Sequence, residues 1–182
     1  MTFDGKAFIY SNKAYYPLRF VLETLDYTVG YDMQKRTPTI DKNTAVRFPL
    51  TIKDGDLSYT FKAPVKSIVS LAPSITEILF AIGAQDLVVG RTLYCDYPLE
   101  VQNIRSVGTL YEPDLEGILD LAPEAVIAAT HMNEDVMAQL SKAGIQTITQ
   151  KSPEKVAEIY TLIQQLGLIT NRSYEARALV ST

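Results

Sequence analysis

The stretch Lys66-Ser-Ile-Val-Ser-Leu-Ala-Pro-Ser-Ile-Thr-Glu-Ile-Leu-Phe-Ala-Ile-Gly83 narrows the possible folds more than any other part of the chain. It reads as a buried strand, a tight turn and an amphipathic helix. Ser67 to Leu71 is a short apolar run holding Ile68 and Val69, the kind that sits inside a parallel sheet. Pro73 ends the strand, and Ser74 stands three residues before Glu77, the spacing of a capping box. Ile75, Ile78, Leu79 and Ile82 recur at one-face helical spacing, and Gly83 lies where a left-handed C-terminal cap is expected. A strand whose carboxyl end feeds straight into a helix is where open α/β sheets place their ligands. Free N–H groups at such a helix start favour anionic or carbonyl groups. The main expected role of Ser74 and Glu77 is nevertheless capping, with any ligand contact an addition to it.

From Lys66 onward, strand and helix periodicities alternate as βα repeats, which predicts an α/β fold with a parallel, Rossmann-like sheet. Further strands are expected at Leu87 to Gly90, Ser106 to Thr109, Ala125 to Ala129 and Gln146 to Thr149. Pro113-Asp114 opens a helix with Leu115, Ile118, Leu119 and Ala122 inward and Glu116, Gly117 and Asp120 outward. Asn133 is positioned to cap the next, which carries Val136, Met137 and Leu140 and ends at Gly144. Ser152-Pro153 opens another, with Val156, Ile159, Tyr160 and Ile163 expected on its buried face. Asn171 or Ser173 begins a last helix, and the sequence stops inside it, an ending that reads as truncation.

The first sixty or so residues are different. Lys6 to Tyr10 and Lys13 to Tyr16 are β-prone and joined by a turn at Asn12-Lys13. Pro17 suits the first position of a helix whose Leu18, Val21, Leu22 and Leu25 share one face. Thr28 to Asp32 and Thr37 to Ile40 read as strands around a Met33 to Arg36 loop, completing a small α+β module of ββαββ type. Ala45 to Ile52 and Leu57 to Phe61 then suggest a hairpin about Lys53-Asp-Gly-Asp56. That hairpin either finishes the first module or leads into the second. A boundary at Ala63-Pro64 divides the chain into residues 1–62 and 63–182.

Seventeen basic and 21 acidic residues give 182 residues a net charge of −4, with no Lys/Arg block, which argues against a nucleic-acid partner. The apolar stretch from Ile75 to Ile82 is broken by Glu77 and too short to cross a bilayer. Cys95 is the one cysteine and His131 the one histidine, which excludes an internal disulfide and argues against a zinc or copper site from this chain alone. Without an adjacent histidine or basic cluster, Cys95 reads as a small semi-buried residue and not a nucleophile. Met1-Thr-Phe-Asp-Gly5 has no apolar signal character, so the expectation is a cytoplasmic protein or a targeting segment outside this stretch.

Residues Lys13 to Leu25, Val29-Gly-Tyr-Asp32 and Thr37-Pro-Thr-Ile40 resemble the copper amine oxidase N-terminal-like domain, with Asp26 and Tyr31 departing from its usual Gly and Trp. Despite the name, the resemblance implies no copper site. It implies an accessory, surface-associated packing unit of secreted bacterial proteins.

Four stretches in order, Ser67 to Gly83, Val89 to Pro98, Val107-Gly108 and Asp114 to Ala128, closely resemble the solute-binding proteins of metal-chelate ABC importers. These bind vitamin B12, ferric siderophores or haem. The resemblance implies the N-terminal lobe of a periplasmic-binding-protein fold, ending at the start of the inter-lobe helix, with a chelate held between two lobes. It implies ligand-facing positions at Pro73, Ser74, Tyr94, Leu110, Tyr111, His131 and Met132, and permease docking through Glu116. The Tyr-Cys-Asp-Tyr-Pro loop leans toward the B12-binding branch, whereas Leu110 and Ala129 stand where that branch has tryptophan. Tyr94 and Tyr111 suit a flat macrocycle or aromatic chelate, each with an apolar face and polar tip. His131 follows a strand end, where it would ligate haem iron, bond a chelate or stand solvated.

The implied protein is a non-catalytic, extracellular, cell-surface lipoprotein with no cofactor, whose partners are a metal chelate (a cobamide, siderophore or haem) and a membrane ABC permease. The alternatives are an adhesive surface module, or a hydrolase on the same scaffold. Against the hydrolase stand the missing G-x-S-x-G elbow and the single candidate histidine base.

Overall fold

Ala125 to Ala129 is apolar throughout, so a strand made from it needs cover on both faces. The computed structural model, which describes residues 8–10, 13–15, 27–32, 37–42, 46–129 and 132–181, provides that cover. The chain divides into two units, residues 1–45 and 46–182.

In the first unit, β1 (Phe8–Tyr10) pairs antiparallel with β2 (Lys13–Tyr15), Phe8 opposite Tyr15. β3 (Tyr27–Asp32) pairs antiparallel with β4 (Thr37–Lys42), Val29 opposite Ile40. These strands fall on the segments expected from β propensity. The helix expected from Pro17 to Leu25, the turn residue Asn12 and the Met33 to Arg36 loop lie outside the described residues.

The second unit opens with an antiparallel hairpin, β5 (Leu50–Asp54) and β6 (Leu57–Phe61). The βα series follows: β7 (Ile68–Ser70), α1 (Pro73–Ala81), β8 (Val88–Arg91), α2 (Leu115–Leu121), β9 (Ala125–Ala129), α3 (Glu134–Lys142), β10 (Gln146–Gln150), α4 (Val156–Ile169) and α5 (Ser173–Val180). The sheet order is β10-β9-β7-β8, every neighbouring pair parallel.

Alternate residues of the inner strands feed two cores. Ile68, Ala125 and Ile127 pack with Ile75, Leu79, Leu162, Leu166 and Ile169, which come from α1 and α4. Val69, Val126 and Ala128 pack with Ile118, Leu140 and Ile145 on the side of α2 and α3. Helices therefore cover both faces, and each fully buried Ile or Leu contributes roughly 1.5–3 kcal/mol by leaving water.

Local detail departs from the sequence expectation in four places. Pro73 is itself the first residue of α1 and Ala72 is its N-cap, so Ser74 lies inside the helix and the Ser74/Glu77 capping box does not form. Proline is preorganised for that first position, which moves the helix start ahead of the serine. At the other end the expected cap is present: Gly83 has φ 70°, its N–H donates to the Phe80 carbonyl (3.0 Å), and that of Ala84 donates to Leu79 (2.8 Å).

In α2, Gly117 is buried, whereas Leu119 and Ala122 are exposed. Ala122 is the left-handed C-cap, which turns it out of the helical stripe. Val156, Ile159 and Tyr160 of α4 are also exposed; burial begins at Leu162 and continues through Ile163, Leu166 and Ile169. Two overlapping apolar stripes fit the spacing, and the sheet takes the later one. Finally, Ser106 to Thr109 forms two isolated bridges in place of a strand, Ser106 parallel to Arg91 and Gly108 antiparallel to Pro113, where the chain turns back.

The hairpin packs against this α/β unit. Ile52 and Phe61 join the first core. The Tyr59 hydroxyl donates to the Thr149 carbonyl (3.2 Å) and accepts the Thr149 N–H (3.1 Å), so it serves both backbone groups of one residue on the outer strand β10. Tyr59→Phe keeps the ring and removes these bonds, together with the contact to the Thr149 hydroxyl at 3.0 Å. A stability loss of about 1–2 kcal/mol is expected, read from the urea midpoint at unchanged m value.

Candidate ligand-binding site

Because the sheet is parallel, the carboxyl ends of its strands, Ser70, Arg91, Ala129 and Gln150, share one edge. β7 connects through α1 to β8 on one side, while its other neighbour β9 connects through α3 to β10 away from it. Adjacent strands whose connections leave in opposite directions open a crevice at their carboxyl ends. Leu71 to Ser74 stand at that crevice.

Pro73 and Ser74 are exposed in the first turn of α1. Met132 is buried and packs in the second core with Leu71 and Leu140, so its side chain supports the crevice from beneath. His131 lies outside the described residues.

The loop after β8 is tied down from within. Arg91 Nε donates to the Val101 carbonyl and Nη1 to that of Thr92, each at 3.0 Å. The Leu93 N–H donates to the Gly108 carbonyl at 2.8 Å. Thr92 and Cys95 are buried, while Leu93 and Tyr94 between them project outward, Tyr94 with 64% of its surface exposed. Tyr97 is also exposed.

Ser106 bridges in parallel to Arg91, so the turn beyond it reaches the same edge as the Tyr94 loop. The turn is closed by the Thr109 N–H donating to the Glu112 carbonyl (3.1 Å) and the Asp114 N–H to that of Val107 (2.9 Å). Leu110 packs partly against the second core, and Tyr111 stands out with 79% exposure. Asp114 then caps α2, its Oδ1 accepting the Gly117 N–H at 3.0 Å. Glu116 lies exposed in the first turn of that helix. At the far end of the edge, the Asp54 carboxylate accepts the Lys151 N–H at 2.6 Å, holding the hairpin turn beside the end of β10.

The topology thus brings Pro73, Ser74, Tyr94, Leu110 and Tyr111 to one edge. Reasoning from sequence passed over Leu93 and Tyr97 as exposed partners of Tyr94. It read Cys95 as semi-buried, where the side chain is fully buried, and did not single out the buried Thr92. Among the described residues no cluster of His, Cys, Asp or Glu has the makings of a metal site. The edge offers aromatic faces with hydroxyl tips and a helix start, a surface suited to stacking and hydrogen bonding.

Residues 68–182 match the family profile described as periplasmic binding protein, and residues 1–58 that of the copper amine oxidase N-terminal domain. An uncharacterised ABC transporter substrate-binding lipoprotein of Bacillus subtilis is 35% identical over 139 residues, covering 74% of this chain and 44% of that protein. A crystal structure of a periplasmic haem-binding protein of Vibrio cholerae is similar with a TM-score of 0.59 at 28% identity, over 63% of this chain and 45% of its own. The periplasmic vitamin B12-binding protein of the same species gives a TM-score of 0.58 at 28% identity, over 65% and 46%. The chain spans less than half the length of each of these proteins. The α/β unit has the fold of one of their lobes.

Gly108 tests the geometry of the Tyr111 turn. It has φ 83°, and a Cβ there would lie 2.5 Å from the Glu112 carbonyl oxygen. Gly108→Ala is expected to cost about 2 kcal/mol, read by urea unfolding.

Proposed function

From the periplasmic binding protein family, to which this chain belongs, we propose that it forms one lobe of the solute-binding component of an ABC importer. The ligand is a metal chelate of the cobamide, ferric siderophore or haem class. The observation that carries this reading is the placing of Tyr94 and Tyr111 on the edge beside the topological switch point. A corrin or porphyrin presents a broad flat face, and exposed tyrosines stack on such a face while their hydroxyls meet polar rim groups. The relatives named for vitamin B12 and haem support the class of ligand.

The role is binding without catalysis. The edge residues supply contact surface, with Tyr94 and Tyr111 standing exposed. Burying most of a large ligand takes two walls, so the second lobe of a longer protein completes the cleft. Glu116, exposed on a well-capped helix, is the residue we assign to permease docking. Placement outside the cytoplasmic membrane, with a lipid anchor, follows the Bacillus relative's description as a lipoprotein. We assign the first unit, residues 1–45, to an accessory surface module in place of the 1–62 expected from sequence, supported by the match that covers it.

Titrating the two-lobe protein with cobalamin, haem and a ferric siderophore, followed by tyrosine fluorescence, tests the ligand class. Saturable binding of one of them is expected, with Tyr94→Ala and Tyr111→Ala each weakening it about tenfold. No response to any of the three overturns the reading and favours adhesion. Glu116→Lys is expected to lower uptake in cells at unchanged ligand affinity; a loss of affinity instead would place Glu116 in the cleft.

A further inference from the structure

Beneath Leu93 and Tyr94 runs a chain of buried polar side chains that the ligand contacts above do not use. The Thr76 hydroxyl lies 2.8 Å from Ser70 Oγ, 3.2 Å from the Ala72 carbonyl and 3.2 Å from Cys95 Sγ. Thr92 Oγ1 lies 3.2 Å from the same sulfur, and the Ser70 hydroxyl donates to the Ala72 carbonyl at 3.1 Å. Ser70, Thr76, Thr92 and Cys95 are each no more than 1% exposed.

Their places in the fold matter more than their number. Ser70 ends β7, Thr76 sits in α1, and Thr92 and Cys95 bracket the two residues that project from the β8 loop. The chain therefore links all three segments that build this part of the edge. Apolar residues of the same size would fill the space without needing partners, whereas a buried hydroxyl is costly unless paired. One hydroxyl proton serves one acceptor at a time, and the Cys95 sulfur, within reach of both threonine hydroxyls, can accept from one and donate weakly to the other. Shared partners of this kind hold a loop in one arrangement more firmly than independent contacts do.

We propose that this hydroxyl–thiol chain is the positioning element of the ligand wall: Thr76, Thr92 and Cys95 hold the Leu93–Tyr94 arch at the edge beside the crevice and set ligand affinity without touching the ligand. The effect on affinity rests on the ligand-binding reading above; the effect on the arch does not.

The test uses Thr76→Val, which keeps shape and removes the hydroxyl, and Thr76→Ser, which restores it. Cys95→Ala and Cys95→Ser form a second pair if Thr76→Val does not fold. Haemin and cyanocobalamin are the binding probes. Reaction of Cys95 with an aromatic disulfide reagent and amide exchange across Thr92 to Cys95 report on the arch. Thr76→Val is expected to weaken probe binding about tenfold, expose the thiol at least tenfold and speed exchange in the arch. Thr76→Ser is expected to return all three readings to within about twofold of the parent. In the second pair, Cys95→Ala is expected to weaken binding and speed arch exchange, and Cys95→Ser to reverse both.

Wild-type thiol protection and arch exchange in Thr76→Val overturn the proposal. So does equal damage from Val and Ser, which would mark a packing role. If the parent binds neither probe, the ligand reading fails for these two chelates, while thiol protection and amide exchange still decide whether the chain positions the arch.

Discussion

The sandwiching of β7 and β9 between two apolar layers is the constraint from which the rest of the second unit follows. Ile68 and Ile127 face one core while Val69 and Val126 face the other. A strand apolar on both faces cannot rest at the surface, so helices must cover both sides, and parallel strands joined by helices achieve this with short connections. Once those strands are adjacent and their helices leave in opposite directions, the crevice at their carboxyl ends is a topological consequence. The candidate site is thus placed by the same burial that holds the sheet together.

The hairpin between the two halves shows that ancestry and packing divide a chain in different places. The profile of the copper amine oxidase N-terminal domain runs to residue 58, inside β6. By packing, the hairpin belongs with residues 46–182, where Ile52 and Phe61 enter the first core and Tyr59 satisfies Thr149 on an outer strand. Two of its contacts, Asp54 with Lys151 and Lys53 with Gln165, reach the β10–α4 segment. A segment placed by propensity as a simple β-turn-β therefore also serves as cover for the sheet edge.

The proposed ligand wall separates support from contact. Arg91, Thr92 and Cys95 spend their polar groups inside the loop, which leaves the apolar and aromatic side chains of Leu93 and Tyr94 facing outward. Exposed aromatic residues on a rigid base have little conformational freedom left to lose on binding, which favours recognition of a flat ligand. The same logic holds for Tyr111, raised on a turn closed by backbone hydrogen bonds.

The order and type of the elements were legible because strand and helix periodicities alternate cleanly after Lys66, and because Gly83, Asn133 and Gly144 mark helix ends by local backbone chemistry. Tyr94 and Tyr111 were singled out by the resemblance to metal-chelate solute-binding proteins and not by periodicity. What the one-dimensional pattern could not decide was which of two equivalent apolar stripes of α4 meets the sheet, or that Pro73 would start α1 ahead of Ser74. It also could not show that Cys95, distant from Thr76 in the chain, would lie against it. Periodicity and caps are properties of neighbours in sequence, so the chain alone determined them. Burial and hydrogen-bond partnership depend on which surfaces meet when distant segments pack, and only the tertiary structure could decide those.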